Sequence, residues 1–264
     1  MDNIVLKKLA LYLNKDIPNY RQADVIKISK MTNDKEAINL LLNSFLDTSY
    51  DFKKCLIEEN EKDYNTQYLS MFNKTIKYKN WCFKYLKYEP FELFVRDDFT
   101  ILNDEIIPQI GYFKKPFKYL TLFQNDKEWM SLKPNEINTM KEDINDSFGN
   151  VLVAGLGMGY FSYMISLKDN VKSITIVEKD KDIINLFNKV ILNNFEYKSK
   201  IKIINDDFLN YVENNNLDYD YCYIDIYRDV SDGLNIYKKL LYLRDKYKKM
   251  ETRFWIEKSM KYYL

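Results

Sequence analysis

The sequence predicts an α/β protein: a doubly wound parallel sheet, preceded by a small β-hairpin region and an N-terminal helical region. Two observations carry this reading. From residue 150 to the end, short apolar β-type segments alternate with longer helix-type segments, the pattern of repeated βαβ units. The first such segment runs directly into a glycine loop, VLVAGLGMGYF, from Val151 to Phe161. That loop holds three of the six glycines of a 264-residue chain, at Gly155, Gly157 and Gly159. Bare backbone between a first strand and a first helix lets a ligand approach closely.

The elements follow in order. Residues 1–90 read as a helical region: Ile4, Leu6, Leu9, Leu11 and Leu13, and then Ala37 to Leu42, have helical spacing. Thr32-Asn33-Asp34 looks like the start of the second helix. Tyr68 to Tyr88 is dense in aromatics and reads as an aromatic-rich helix packed on a core. Residues 91–132 form a small β region, where Phe91–Leu102, Ile106–Phe113 and Tyr119–Phe123 are punctuated by Asn103-Asp104, Pro108, Gly111 and Pro116. Residues 133–264 form the ligand-binding domain. A helix runs from Pro134 to about Asn145, and proline suits a first helical turn. Strands are expected at Val151–Ala154, Ser173–Val177, Lys200–Ile204, Tyr219–Ile224 and Thr252–Ile256. Helices are expected at Gly159–Leu167, Lys181–Leu192, Phe208–Asn214 and Gly233–Lys249.

Composition excludes several chemistries. Lys plus Arg number 40 against 39 Asp plus Glu, a net charge of +1 that announces no polyanionic partner. The chain has no histidine, which removes Ser-His-Asp and Cys-His mechanisms and argues against a zinc site. No metal site is expected. Acid–base work falls to carboxylates, Tyr or Lys. Cys55, Cys82 and Cys222 are widely spaced, without a CxxC, and read as free thiols of a cytoplasmic protein. The first residues, MDNIVLKKLALYLNKD, do not read as a signal peptide, and no apolar run is long enough for a membrane span.

The ends of the later strands narrow the ligand. In G-x-G-x-G the residue three after Gly157 is Tyr160, where dinucleotide sites want a third small residue. No GK[ST] follows, so the loop is not a P-loop. The second strand ends at Glu178, 19 residues beyond Gly159, where a carboxylate can accept from ribose hydroxyls. The third ends in Asp206-Asp207, and the fourth in Asp225. Ligands of open α/β sheets bind beyond the carboxyl ends of the strands, so these residues are expected at one site.

With those residues in place, the sequence resembles the class I S-adenosylmethionine-dependent methyltransferases, and among them the spermidine-synthase-like branch. The resemblance covers about 117–257 and is specific over 151–229. It implies a Rossmann-like sheet of strand order 3-2-1-4-5, lacking the usual last two strands. It implies S-adenosyl-L-methionine as cofactor, with Gly155, Gly157 and Gly159 around its methionine and ribose. Glu178 would hold the ribose hydroxyls, and Asp206 the adenine amino group with Asp207 beside it. Asp225, in YDYCYIDIYRD, would face donor sulfur and acceptor. Val153, two before the first glycine, matches the apolar preference of the spermidine-synthase branch. The polyamine-side pattern differs: Asp225-Ile226-Tyr227-Arg228-Asp229-Val230 has no proline, and Met130 stands where that branch has Gln.

The expected function is therefore methyl transfer to a small-molecule acceptor, with Asp225 as the catalytic residue. Trp129, Glu136, Tyr160 and Tyr227 are candidates for the pocket, Glu136 as an anchor for the donor's amino group. Aminopropyl transfer from decarboxylated donor, and non-catalytic nucleoside binding, remain the alternatives. No Asn-Pro-Pro-Tyr-type motif follows the fourth strand, so nucleic acid is not supported as substrate. A fifth strand ending the sheet would need cover from the N-terminal helices or from a second subunit in a homodimer.

Overall fold

The computed structural model describes residues 56–264, apart from 73, 91, 103, 104 and 108. The helices expected before residue 56 lie outside the described residues. The strands of the first part are β1 (Leu56–Glu58), β2 (Ile76–Tyr78), β3 (Trp81–Tyr88), β4 (Phe94–Val95), β5 (Thr100–Leu102), β6 (Glu105–Ile107), β7 (Ile110–Tyr112), β8 (Phe117–Gln124) and β9 (Lys127–Ser131). They form a four-stranded sheet β2-β3-β8-β9, a three-stranded sheet β1-β7-β4 and the hairpin β5-β6.

The helix expected over Tyr68–Tyr88 is corrected. Only Gln67–Met71 is helical, as a short 3-10 turn, and Trp81–Tyr88 is an extended strand paired antiparallel with all of β8. The reason is the turn before it and the partner after it. Lys79 takes a positive φ of 51° between β2 and β3, which closes a hairpin. Aromatic side chains then favour a pleated surface with a partner strand, and Trp81 and Phe83 bury one face. The four-stranded sheet thus runs across residue 90 rather than starting after it.

The second part begins with α1 (Pro134–Asp146), which has proline at its start as expected. Then follow β10 (Gly149–Ala154), α2 (Tyr160–Ser166), β11 (Val171–Glu178), α3 (Lys181–Leu186), β12 (Ile201–Asn205), α4 (Phe208–Asn214), β13 (Tyr221–Ile224), α5 (Val230–Leu240), α6 (Tyr242–Lys246), β14 (Glu251–Phe254) and α7 (Glu257–Tyr262). The five strands are all parallel, in the order β12-β11-β10-β13-β14. In β10, Val151, Leu152, Val153 and Ala154 are each at most 2% exposed. A strand apolar at every position is one covered on both faces.

Two helices differ in extent. The segment after Lys181 leaves α-geometry at Phe187, where a π-turn spans Phe187–Ile191. The helix expected from Gly233 starts earlier, at Val230, because Asp229 and Asp232 form a reciprocal capping box. β14 is the outer strand on its side, and its edge is charged: Arg253 bonds Glu251 at 2.6 Å and Asp146 at 3.1 Å, a device that discourages edge pairing. Among the described residues, no helix is long and apolar enough to cross a membrane.

Two contacts lock the first part onto the second. The Tyr68 hydroxyl donates to the Met158 carbonyl inside the glycine loop, and its ring packs edge-on against Tyr160 at 5.5 Å. Lys79 at the β2–β3 turn pairs with Asp182 in α3 at 2.6 Å. At the other end of the domain, the Lys168 ammonium donates to the carbonyls of Ile144, Asn145 and Ser147, closing the C-terminal end of α1. These are carbonyls a helix end leaves without partners, and a cation also favours the negative end of the helix dipole. Lys168→Met is expected to cost about 1–2 kcal/mol, seen as a lower urea midpoint with an unchanged m-value.

Candidate functional site

A cavity of about 290 Å³ opens at the carboxyl ends of β10, β11 and β13. That size lies at the lower end of the roughly 300–1,000 Å³ typical of small-ligand sites. Its walls come from β9, the first turn of α1, the glycine loop, the end of β11, the start of α4, the segments after β13 and β14, and α5. The structure brings together Gly155, Gly157, Glu178, Asp207, Asp225, Trp129, Glu136 and Tyr227 on this one cavity. Gly159, Asp206 and Tyr160 are not on its wall.

The three glycines are bare for three different reasons. A Cβ on Gly155, which has φ of +86°, would sit 2.5 Å from the Asp225 backbone oxygen. There the chain leaving β10 passes against the chain leaving β13. A Cβ on Gly159, with φ of +78°, would meet the Phe187 ring at 2.2 Å. Gly159 thus serves packing of α2 and not the cavity. At Gly157, φ +51°, the added carbon would meet Met130 Sδ, another cavity-lining residue, at 2.7 Å.

Glu178 is held by the backbone on both oxygens. Oε2 accepts from Leu156 N at 2.9 Å and Oε1 from Asp180 N at 2.7 Å. Burial raises its carboxyl above the usual value, and these two N–H donors act against the rise. Each carboxylate oxygen has a further lone pair for a ligand hydroxyl. Asp207 caps α4, its Oδ1 accepting from Leu209 N at 2.9 Å. Asp206 Oδ1 accepts from Asp207 N and from Asn210 Nδ2, both at 2.8 Å.

Asp225 follows the last residue of β13, and its N–H bonds the Ala154 carbonyl at 3.2 Å. It is half-buried, its open surface being cavity wall. Glu136, in the first turn of α1, is 6% exposed and reaches the same cavity. Neither carboxylate accepts a hydrogen bond from any described residue. Loss of hydration pushes Glu136 up to about 7, partly opposed by Lys133. Asp225 is pushed well above the usual carboxylate range, first by burial, then by the carboxylates of Glu136 and Asp143. Both effects disfavour the charged forms. A cation placed between the two would reverse them.

One pocket candidate lies off the cavity wall and another lines it with its hydroxyl engaged. Tyr160 is 3% exposed, packed against Tyr68, and lines no part of the cavity. Tyr227 lines it with its ring, but its hydroxyl is committed to the Trp255 carbonyl at 2.6 Å. Trp129 stands 42% exposed at the wall, its ring edge-on to Trp81.

Sequence reasoning missed Trp255. It is buried on the cavity wall and hydrogen-bonded to α1, to β13 and to Tyr227. Nε1 donates to Thr139 Oγ1 at 2.9 Å, N–H to the Ile224 carbonyl at 3.0 Å, and the carbonyl accepts from Tyr227. Directly after it, Ile256 adopts φ of 48°, a conformation rare for a β-branched residue. No local sequence pattern announces such a turn. Ile236, which also lines the cavity, reads from the sequence only as a helix residue, whereas Phe208, on the wall too, is placed beside Asp207 by the resemblance.

No family model matches the sequence, and no curated protein matches it. Among solved structures, it is similar to a spermidine synthase from Thermotoga maritima at 12% identity and a TM-score of 0.35, covering 52% of this chain and 50% of that one. It is similar to a dimethyladenosine transferase from Plasmodium falciparum at 15% identity and 0.31, covering 45% and 39%. A putative O-methyltransferase from Klebsiella pneumoniae matches at 15% identity and 0.27, covering 34% and 40%. The chain thus spans about half or less of the length of each. The parallel order β12-β11-β10-β13-β14, with the glycine loop leaving the central strand, is a Rossmann-like doubly wound sheet.

The raised carboxyls make stability depend on pH. For Glu136 the folded-state value of about 7 exceeds the ordinary 4.5, so the folded chain holds this proton more tightly than the unfolded one. The stability it brings is full below pH 4.5 and is lost as the pH rises through 7. Asp143, raised to about 6 chiefly by burial, acts in the same direction over a lower window. Glu136→Gln is expected to raise Tm at pH 8 more than at pH 4.5, measured by thermal melts of both proteins across that range.

Proposed function

We propose that the chain is an S-adenosylmethionine-dependent methyltransferase acting on a small-molecule acceptor. The observation that supports this most directly is a cavity bearing two carboxylates without hydrogen-bond partners among the described residues, at the carboxyl ends of parallel strands. Such a cavity favours a ligand that carries positive charge at one end and hydroxyls at the other. The residues fit this donor: Glu178 has acceptor capacity for a ribose diol, Gly157 keeps the wall open beside Met130, and Glu136 and Asp225 offer charge for an ammonium and a sulfonium.

When bound, the donor supplies an electrophilic methyl group on sulfur. The chain's own residues do the rest. Glu178 orients the ribose, and its rigid hold on Leu156 N and Asp180 N fixes the carboxylate before a ligand arrives. Asp225 anchors the acceptor or takes its proton at a carboxylate oxygen. Tyr227, Trp255 and Ile236 give the acceptor side an apolar wall that excludes water. Orientation of two reactants in one dry cavity is the main catalytic contribution open to such a site.

Aminopropyl transfer is the second reading. It uses the same nucleoside half of the donor, and solved spermidine synthases are among the similar structures. The two readings differ in their sulfur products. Methyl transfer releases S-adenosylhomocysteine, and aminopropyl transfer releases methylthioadenosine. Mass spectrometry of donor breakdown with a panel of amines is expected to find the former.

Binding is tested separately. S-adenosylmethionine and S-adenosylhomocysteine are expected to raise Tm, and NAD is not. At a hundredfold excess over Kd the gain is about 2.7 kcal/mol, roughly 5–10 °C for a chain of this size. Glu178→Ala is expected to remove most of the gain. Equal stabilisation of wild type and variant would count against the site.

A further inference from the structure

We propose that Glu128 is a positioning residue for donor binding: it holds the Lys133 ammonium off Glu136, and so keeps that carboxylate open for the ammonium at the amino-acid end of the donor. This rests on the donor reading above, in which Glu136 takes that ammonium.

Lys133 and Glu136 are placed to meet. Lys133 is the N-cap residue of α1, and Glu136 stands three positions on, in the first turn. Side chains at these two positions are neighbours, which is why a capping box can join them. Among the described residues, Lys133 is the one cation whose charge bears on Glu136, where it works against the effect of burial. Lys179 and Arg228 also line the cavity, but Lys179 acts on Glu178 and Arg228 pairs with Asp232 at 3.4 Å. A Lys133 ammonium that swung to Glu136 would neutralise the anchor from within the chain and compete with a ligand's ammonium.

Glu128 draws Lys133 the other way. Lys133 Nζ bonds Glu128 Oε1 at 2.5 Å and lies over the Tyr119 ring, 5.7 Å from its centroid. The same Oε1 accepts from Ser131 Oγ at 2.8 Å, so the carboxylate is itself fastened to the sheet. Burial acts to raise the Glu128 carboxyl, yet the Lys133 bond and charge and the Ser131 bond bring it below its usual value. Glu128 therefore stays charged where Glu136 does not, and the ammonium belongs to it.

A β-bulge makes this hold possible. On a regular strand, residues three apart point to opposite faces, and Glu128 and Ser131 are three apart. In β9, however, Glu128 pairs with Phe123, Met130 with Leu122 and Ser131 with Thr121, which leaves Trp129 as an extra residue. Phe123 and Thr121 share one face of β8, so Glu128 and Ser131 share it too. Bulges re-aim side chains in this way beside binding sites, and the extra Trp129 lies on the cavity wall.

Isothermal titration calorimetry of the full chain at pH 8, above the Glu136 value of about 7, tests the role without knowing the acceptor. Two ligands with uncharged sulfur are compared: S-adenosylhomocysteine, which carries the amino-acid end, and methylthioadenosine, which lacks it. Glu128→Gln keeps an acceptor for Ser131 and removes the charge that holds Lys133. It is expected to weaken S-adenosylhomocysteine by about five- to tenfold and methylthioadenosine by less than about twofold. Lys133→Met removes the competing ammonium, so adding Glu128→Gln to it is expected to leave S-adenosylhomocysteine affinity unchanged. Equal effects of Glu128→Gln on both ligands, or none on either, overturn the proposal and leave the donor site standing. An undiminished effect of Glu128→Gln beside Lys133→Met also overturns it, because the loss would then come from the field of Glu128 itself. Absence of binding of both ligands by the wild-type chain removes the donor reading and this role together.

Discussion

The close passage of two chain segments at Gly155 organises everything around the cavity. β10 lies at the centre of the parallel sheet, between β11 and β13. Its four apolar residues are buried on both faces, so its position in the core is not negotiable. Where it ends, Gly155 lies so near the Asp225 carbonyl that a single added carbon would collide with it. This contact places the glycine loop, Glu178 at the end of β11 and Asp225 after β13 around one space. Ligand sites of open α/β sheets arise in this way, where the connections from a central strand diverge to opposite sides.

The cavity concentrates a conflict that the rest of the domain must carry. Glu136 and Asp225 are enclosed with like charge and without hydrogen-bonded cations. An apolar pair in their places would disfavour the folded state less. Three other enclosed carboxylates are paired: Asp143 takes the Tyr221 hydroxyl, Glu59 takes the Tyr64 hydroxyl at 2.6 Å and the Arg96 guanidinium, and Glu257 takes Arg244 at 2.7 Å. The contrast marks the cavity as the place where charge is left ready for a ligand, at a stability cost offset by a large aromatic core. Tyr68 is central to that core, since one side chain fastens the glycine loop and packs against Tyr160 and Tyr163.

Much of the second part of the chain could be read in advance because its signals are local. Apolar runs such as Val151–Ala154 and Ile174–Val177 are bounded by glycines or acidic residues, and each maps to one strand. The first part gave weaker guidance. In Trp81–Tyr88 nearly every residue is aromatic, apolar or Lys, so periods of two and 3.6 residues fit about equally well. What decides is β8, which pairs with it over eight residues. The same limit applied to function. Glycine spacing pointed to a ligand loop, yet Gly159 answers to Phe187, while Gly155 and Gly157 line the cavity.

The sequence by itself determined the alternation of strands and helices, the glycine loop, and the acidic residues that close the parallel strands. All of these depend on neighbours within a few positions. Which acidic residues share a cavity was decided only by the tertiary structure. Glu178, Asp207, Asp225 and Glu136 do, and Asp206 does not. It also decided that Trp255 joins α1 to the end of β13 and that Tyr160 turns into the core. The physical reason is desolvation. The charge state of Glu136 and Asp225 depends on what encloses them, and the enclosing groups come from β9, α1, the glycine loop and the segments after β13 and β14. Segments so far apart along the chain meet only once the sheet has formed.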